Sequence, residues 1–209
     1  MDLAPLAALF AILGALFLGA MSPGPSFVFV VRTAVARSRR DGLAAAVGMG
    51  VGAMTFGALA LLGLRTLMTE AAWLYFGLKI AGGLYLIYIA VMLWRGAGHA
   101  LEMGEAGHAA ARPWNSFGLA LATQMSNPKI VAWFGAVFAS LVPEHPPLWL
   151  DLALPPLIFC QETFWYALVA LAFSSTRPRA LYLRAKTWID RAAGVVMGVL
   201  GVRLILEAR

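Results

Sequence analysis

Two long apolar runs are interrupted by helix-breaking residues, MSPGP at residues 21–25 and MSNPK at residues 125–129 of a 209-residue chain. Proline lacks a backbone donor and glycine relaxes the backbone angles, so each stretch predicts a break in a helix. Helix breaks at matching positions of two membrane-embedded halves are the best sequence indication of a transport site. The pair therefore predicts a small transporter. The alternative is an ordinary proline kink in each helix, without function.

The composition is that of an integral membrane protein. Hydrophobic residues make up 61% of the chain and charged residues 12%, with a mean hydropathy of +0.80, which leaves too few polar groups to cover a soluble domain. A transmembrane helix needs about 20 apolar residues, and the runs are apolar all round, unlike the alternating strands of a β-barrel. We predict six spans, at about residues 3–31, 43–64, 71–94, 115–141, 148–174 and 189–206.

Six spans form two groups of three, and a three-helix unit that begins on one side of the membrane ends on the other. A repeat of this unit must therefore insert with inverted topology. We predict an all-α membrane protein with broken helices one and four and a single domain over residues 1–209. Repeat one covers about residues 3–95, repeat two about 113–206, and a glycine-rich cytoplasmic connector about 96–112.

Basic residues predict the orientation of the chain. They cluster after span one and around the third and fifth connections, whereas the other connections hold only Arg65 or none. The positive-inside rule places these clusters in the cytoplasm and both termini on the periplasmic or extracellular side. The net charge of +6 thus reflects loops that face lipid headgroups and does not indicate nucleic-acid binding. The clustered residues are Arg32, Arg37, Arg39, Arg40, Arg95, Arg112, Arg177, Arg179, Arg184, Lys186 and Arg191.

The two breaks are chemically unequal. The first offers only backbone groups, which hydrocarbon tolerates where they are buried in protein or line a hydrated cavity. The second adds the amide of Asn127 and the positive charge of Lys129. Glu162, near the middle of span five, adds a carboxylate. We predict a substrate site that includes Pro23, Gly24, Pro25, Gln124, Asn127, Pro128, Lys129 and Glu162.

Ionisable residues inside the spans indicate function, because each costs about 2.5–3.5 kcal/mol at a helix centre. Lys129 and Glu162 both lie near span centres. Asp151 stands eleven residues before Glu162, nearly on the same helix face; it either lines a route to Glu162 or is an interfacial acid stabilised by a helix N-terminus. Lys79 is either a charge partner of Glu162 or of a carboxylate, or it snorkels to the interface.

Glycine spacing predicts close helix packing. Gly48 and Gly52 in span two, like Gly194 and Gly198 in span six, have the four-residue spacing that lets helices approach, within the bundle or across a homodimer.

The sequence predicts no metal site and no cofactor. Cys160 is the only cysteine, and the histidines, His99, His108 and His145, fall in predicted loops. A phosphate-binding loop of the Walker type is absent from the sequence, so the chain does not use ATP by itself.

Several of these features together resemble the LysE/RhtB family of bacterial amino-acid exporters. They are the Pro-Gly-Pro at residues 23–25, the glycine-spaced second span, LKIAGGLYLIY at residues 78–88 and Asn-Pro-Lys at residues 127–129, and the resemblance covers essentially the whole chain. It implies an oligomeric, six-span inner-membrane antiporter that exports amino acids or close derivatives in exchange for protons. The chain differs from the family at residues 124–126, where Gln-Met-Ser replaces a more Asn- and Leu-rich phrase, and this difference bears on substrate choice.

A zwitterionic amino acid fits these residues. Its carboxylate suits Lys129 or the half-helix N-termini, and its ammonium group suits Glu162 and freed carbonyls. Glu162 alternatively binds the exchanged proton, because burial favours an uncharged carboxylic acid, and Asp151 is the second candidate for this role. The rival functions are export of another solute or a cation on the same fold, an intramembrane enzyme, for which the embedded residues offer no catalytic pair, and a structural membrane protein, which leaves Lys129 and Glu162 unexplained.

Overall fold

The chain folds into packed α-helices. The computed structural model describes residues 4–70, 72–97, 112–143, 145–174 and 176–206, and the predicted connector lies almost wholly outside these ranges. The described residues form eight α-helices and no strand, which confirms the all-α class. The helices are α1 (Ala4–Met21), α2 (Pro25–Ala36), α3 (Arg39–Glu70), α4 (Ala72–Gly96), α5 (Pro113–Met125), α6 (Pro128–Leu141), α7 (Leu148–Phe173) and α8 (Thr176–Leu206).

Predicted spans one and four each consist of two helices. The chain leaves α1 after Met21 and enters α2 at Pro25, and it leaves α5 after Met125 and enters α6 at Pro128. Both prolines stand in the first turn of the second helix, where the missing N–H group would have no helical partner in any case. Both breaks therefore lie within the two stretches that the sequence marks.

Several helices are long and apolar enough to cross a membrane. Among the described residues, the segments that meet this criterion are Ala4–Met21, Arg39–Gly63 and Leu148–Phe173. The shorter helices α2 and α6 are also apolar. With 12 residues, α2 is about 18 Å long and too short to span the hydrocarbon core alone. These observations show a membrane protein.

Most of the predicted fifth connection is helical, and its place outside the membrane stays a prediction. α8 begins at Thr176, well before the predicted start of span six at residue 189, so that Arg184 and Lys186 lie on a helix. The part of α8 that precedes residue 189 makes apolar contacts with two other helices. Tyr182 stacks on Phe27 of α2 with ring centroids 4.8 Å apart, and it meets Phe173 of α7 edge to face at 5.3 Å. Burial of these rings stabilises helix where the basic residues suggest a loop.

The glycine faces are used within the chain. α3 packs chiefly on α5 and α7, and α4 packs chiefly on α8. Gly48 and Gly52 lie against α5, where a Cβ atom on Gly52 would stand 2.7 Å from the Gln124 side chain. Gly194 and Gly198 lie against α4, where a Cβ atom on Gly194 would stand 3.1 Å from a backbone oxygen. Of the two predicted roles of these glycines, the structure shows close helix packing inside the bundle. A homodimer stays a prediction and would have to form through another surface.

Candidate functional site

The C-terminal end of α1, at the first break, is held by side chains from the second half of the chain. A helix end leaves its last carbonyl oxygens without helical donors. Here the Lys129 ammonium group donates to the oxygens of Gly19 (3.3 Å) and Ser22 (3.1 Å). The remaining two oxygens accept from Trp165 Nε1 at Ala20 (3.0 Å) and from the Tyr182 hydroxyl at Met21 (2.9 Å). The positive charge of Lys129 also opposes the negative end of the α1 dipole.

A directed chain of hydrogen bonds connects the two breaks. Asn127 caps α6 by accepting from the Lys129 backbone N–H at its Oδ1 (3.0 Å). Its amide nitrogen therefore donates to Ser26 Oγ (2.9 Å), and the Ser26 hydroxyl donates in turn to Gln124 Oε1 (2.6 Å). The directions follow from the groups: with its oxygen at the cap, Asn127 presents its NH₂ group to Ser26, and the one Ser26 hydroxyl proton is left for Gln124. The chain ends at the Gln124 amide nitrogen, which is buried and has no acceptor among the described residues.

Glu162 supplies a buried carboxylate to the same region. It lies in the middle of α7 with 2% of its surface exposed, and its Oε2 atom has no hydrogen-bond partner within the described part of the chain. Its charge interacts through space with that of Lys129. Tyr166, one turn further along α7, places its hydroxyl beside Ser26. A buried carboxylate without a partner is unfavourable, so this position suits a cationic ligand group or a proton.

The first break brings the N-terminus of α2 close to Lys129. Gly24 is the N-cap of α2 and offers no side-chain cap, so the positive end of this half-helix is open. A Cβ atom at Gly24 would lie 3.4 Å from Lys129 Cδ, in ordinary contact. Pro23 lies in the break itself, whereas Pro25 and Pro128 are exposed on the surface of the chain. Pro25 and Pro128 interrupt the helices, and neighbouring residues occupy the buried interior.

Two predicted residues are not brought to Glu162. Asp151 lies in the first turn of α7, roughly 16 Å along the helix from Glu162, a position that fits an interfacial acid at a helix N-terminus. Lys79 is half-buried on α4, a helix that packs chiefly on α8, whereas Glu162 lies on α7. The roles of Asp151 and Lys79 in transport stay predictions.

Other residues of the site were missed from the sequence. Ser22 and Ser26 flank the Pro-Gly-Pro stretch, and this position beside a break is a signal that was available. The aromatic donors on α7 and α8 carried no signal, because Trp and Tyr are common in membrane proteins. Asp190 lies near the start of predicted span six, and it accepts a hydrogen bond from Ser22. The missed residues are Ser22, Ser26, Trp165, Tyr166, Tyr182 and Asp190.

Comparison with known proteins places the chain among transporters. A family model for LysE type translocators matches residues 17–208. The threonine efflux proteins of Salmonella typhi and Escherichia coli (strain K12) are each 34% identical to the chain, over 192 and 189 residues that cover 90% of the chain and 92% of each relative. The homoserine/homoserine lactone efflux protein of Salmonella typhimurium is 29% identical over 129 residues, 61% of this chain and 62% of that protein. No solved structure matches the chain with significance.

Proposed function

The chain belongs to the LysE type translocators and is thus a membrane transporter and not an enzyme, and we propose that it exports threonine or a similar small amino acid across the bacterial inner membrane. Two relatives that cover almost the whole chain are threonine efflux proteins, and a third is named for homoserine. Both amino acids are zwitterions with a small hydroxyl-bearing side chain. Small hydroxyl-bearing amino acids are therefore a substrate class that the predicted site is suited to bind.

One observation carries the proposal. Among the described residues, the buried region between the breaks holds an amide donor without an acceptor, on Gln124, and a carboxylate oxygen without a donor, on Glu162. Leaving such groups unpaired costs about 1–3 kcal/mol each, and more for a charge. The two are linked by Ser26, which bonds to Gln124, and by Tyr166, which lies beside Ser26 and one turn from Glu162. An amino acid offers a carboxylate to the first group and an ammonium group to the second.

Lys129 couples binding to the helix break. In this conformation its ammonium group is engaged by the carbonyl oxygens of Gly19 and Ser22. A substrate carboxylate at the open end of α2 would compete for the same ammonium group. Moving Lys129 from the carbonyls to the carboxylate would release the end of α1, so that the break changes shape when the substrate binds. This step makes a movement of the helices depend on occupancy of the site.

The movement we propose is a rocking of two inverted three-helix halves. Corresponding helices of the halves are α3 with α7 and α4 with α8, and these are also pairs that pack together, as expected beside a two-fold axis in the membrane plane. If α1 and α2 together cross the membrane once, and α5 and α6 together cross it once, the chain has six spans. Return of the empty carrier with a proton on Glu162 would complete an antiport cycle.

Efflux from loaded cells tests the function. Cells that lack their own threonine exporters are loaded with labelled threonine, and export is compared for wild type, Glu162→Gln and Gln124→Leu at equal protein levels. Wild type should raise export well above the vector control, Glu162→Gln should abolish the gain, and Gln124→Leu should reduce it about tenfold, since one polar contact is lost. Thr123→Val is the matched control, because Thr123 precedes Gln124 and, among the described residues, its hydroxyl bonds only to the Leu119 carbonyl of its own helix.

Two results would contradict the proposal. Wild type that exports neither threonine nor any other amino acid above the vector would remove amino-acid export, and a resistance screen with toxic analogues and other solutes would then identify the cargo. Full activity in both Glu162→Gln and Gln124→Leu would keep the function but remove these two residues from the substrate site. Retention of activity in Thr123→Val is required for either reading.

A further inference from the structure

A second buried polar cluster lies beside the first break and makes none of the substrate contacts proposed above. Asp190 of α8 accepts a hydrogen bond from Ser22 Oγ at Oδ1 (3.0 Å) and forms an ion pair with Lys186 at Oδ2 (2.8 Å). Lys186 also reaches the carbonyl oxygens of Gly96 and Ala97, at the end of α4, each at 3.5 Å. The exposed fractions are 2% for Ser22, 3% for Asp190 and 8% for Lys186. The cluster thus joins three separate segments in the interior.

Stability alone does not account for this cluster. Replacing a buried ion pair by apolar side chains of similar volume is often neutral or stabilising, because removing two charges from water offsets much of their attraction. The contacts of the Lys186–Asp190 pair therefore indicate its role. Its contact with the break is specific, since the Ser22 hydroxyl donates to Asp190 while the Ser22 carbonyl oxygen accepts from Lys129 at 3.1 Å.

The charge of Lys129 has two carboxylates within electrostatic range. Both carboxylates attract it through space, and within the described part of the chain it bonds directly to neither. Its ammonium group is held at the carbonyls of Gly19 and Ser22. Attraction between opposite charges is strong in a medium of low polarity. Without the Asp190 charge, the remaining attraction would draw Lys129 towards Glu162.

We propose that Asp190 is a positioning residue of the transport site, which keeps Lys129 at the first break and away from Glu162 through the Ser22 bond and through its own charge. This inference rests on the proposed function, since Glu162 is there the site of the substrate's ammonium group. A Lys129–Glu162 pair would neutralise both charges that a zwitterion uses. Removing Asp190 should therefore weaken substrate binding more than it slows the movement of the loaded carrier.

Transport into inside-out membrane vesicles separates binding from turnover. In such vesicles export appears as uptake of labelled threonine, the probe used here, so that KM refers to the cytoplasmic side. Asp190→Asn should raise KM roughly tenfold, the size expected for one hydrogen bond to a charged group, with a smaller change in Vmax. Asp190→Glu keeps the charge and should stay near the wild-type KM. The double variant Lys186→Gln with Asp190→Asn leaves no unpaired charge, and its KM should be raised as in Asp190→Asn.

A matched control lies next to Lys186. Thr187 Oγ1 donates to the Ala97 oxygen at 3.0 Å, so Thr187→Val removes a link between α8 and α4 without touching the break. Its KM should stay within about twofold of wild type, as expected for a substitution away from the site. Ser22→Ala removes the hydroxyl and no charge, and should raise KM by a smaller factor than Asp190→Asn.

Several results would overturn the inference. A double variant with the wild-type KM would make the ion pair purely structural, and an unchanged KM in Ser22→Ala would contradict the link through the break. A measurement without transport is the melting temperature of purified protein. Lys129→Met and Asp190→Asn should lower it less together than the sum of their separate effects, since one interaction is lost only once. Additive shifts of the melting temperature would contradict the inference even if threonine is not the cargo. If wild-type vesicles take up no threonine, that result contradicts only the proposed substrate.

Discussion

Ser26 is the residue at which the two helix breaks meet. It is 2% exposed, accepts from Asn127 and donates to Gln124, so its single hydroxyl serves both ends of the second break. Because Asn127 is oriented by capping α6, the direction of every later bond follows from that cap. The orientation of the Gln124 amide is thus a property of the breaks and not of Gln124 alone.

Removing the Ser26 hydroxyl should affect stability and transport together. In Ser26→Ala the Asn127 amide nitrogen loses its acceptor and the Gln124 oxygen loses its donor, which should reduce the free energy of unfolding by about 1–3 kcal/mol and free the Gln124 amide to turn. Thermal unfolding in detergent and threonine efflux measure the two effects. Ser174→Ala is the control, because the bond of the Ser174 hydroxyl in the described part of the chain is local, to the Ala170 carbonyl of the preceding helix. Equal melting temperatures for the two variants would contradict the directed chain.

The site residues divide by how visible they are in a sequence. Asn127, Lys129 and Glu162 are visible because an amide or a charge is rare in an apolar run. Tyr166 is not, since hydroxyl-bearing residues occur throughout membrane helices and only packing decides where they point, whereas Ser26 is marked only by its position beside a break. Asp190 was visible as a charge, but its partner Ser22 lies 168 residues away in the chain. A contact between residues so far apart in the chain leaves no local sequence pattern.

Among the helices, local causes were predictable and distant ones were not. The breaks lie where the sequence places them, because proline acts on its own turn of helix. The start of α8 was predicted too late, because Tyr182 is held by Phe27 and Phe173, which belong to two other helices. The basic residues around Tyr182 are typical of a connection, and the apolar contacts outweigh that tendency. The predicted inverted repeat depends on the arrangement of whole helices and stays a prediction.

The contact between α3 and α5 depends on a glycine. A Cβ atom at Gly48 would meet the backbone oxygen of Phe117, which cannot turn aside as a side chain can. Gly48→Ala should therefore separate the helices and reduce the free energy of unfolding by about 1–3 kcal/mol, the usual cost of overpacking. Gly63→Ala on the same helix is the control, because nothing lies within 4 Å of its added methyl group. Thermal unfolding of both variants checks this, and a Gly48→Ala protein as stable as Gly63→Ala would contradict close packing.

At the scale of the whole molecule, each break is held by the opposite half of the chain. The end of α1 is bonded by residues of α6, α7 and α8, while the second break is bonded through Ser26 of α2. A relative movement of the halves must therefore change the bonds at both breaks. In the proposed transport cycle the breaks would therefore have a mechanical role in addition to the proposed contacts with a substrate.

The orientation of the whole molecule can be tested with reporter fusions. The positive-inside rule places the basic residues at the end of α2 and around the predicted connector in the cytoplasm, and hence both termini outside it. Alkaline phosphatase, which is active only outside the cytoplasm, should be active when fused after Arg209 and inactive when inserted between residues 98 and 111. A fluorescent protein that folds only in the cytoplasm should give the reverse result at the same two positions. The same reporter outcome at both positions would contradict an odd number of crossings between them, and with it the three-span half; opposite outcomes in the reversed order would keep the halves but invert the assigned orientation.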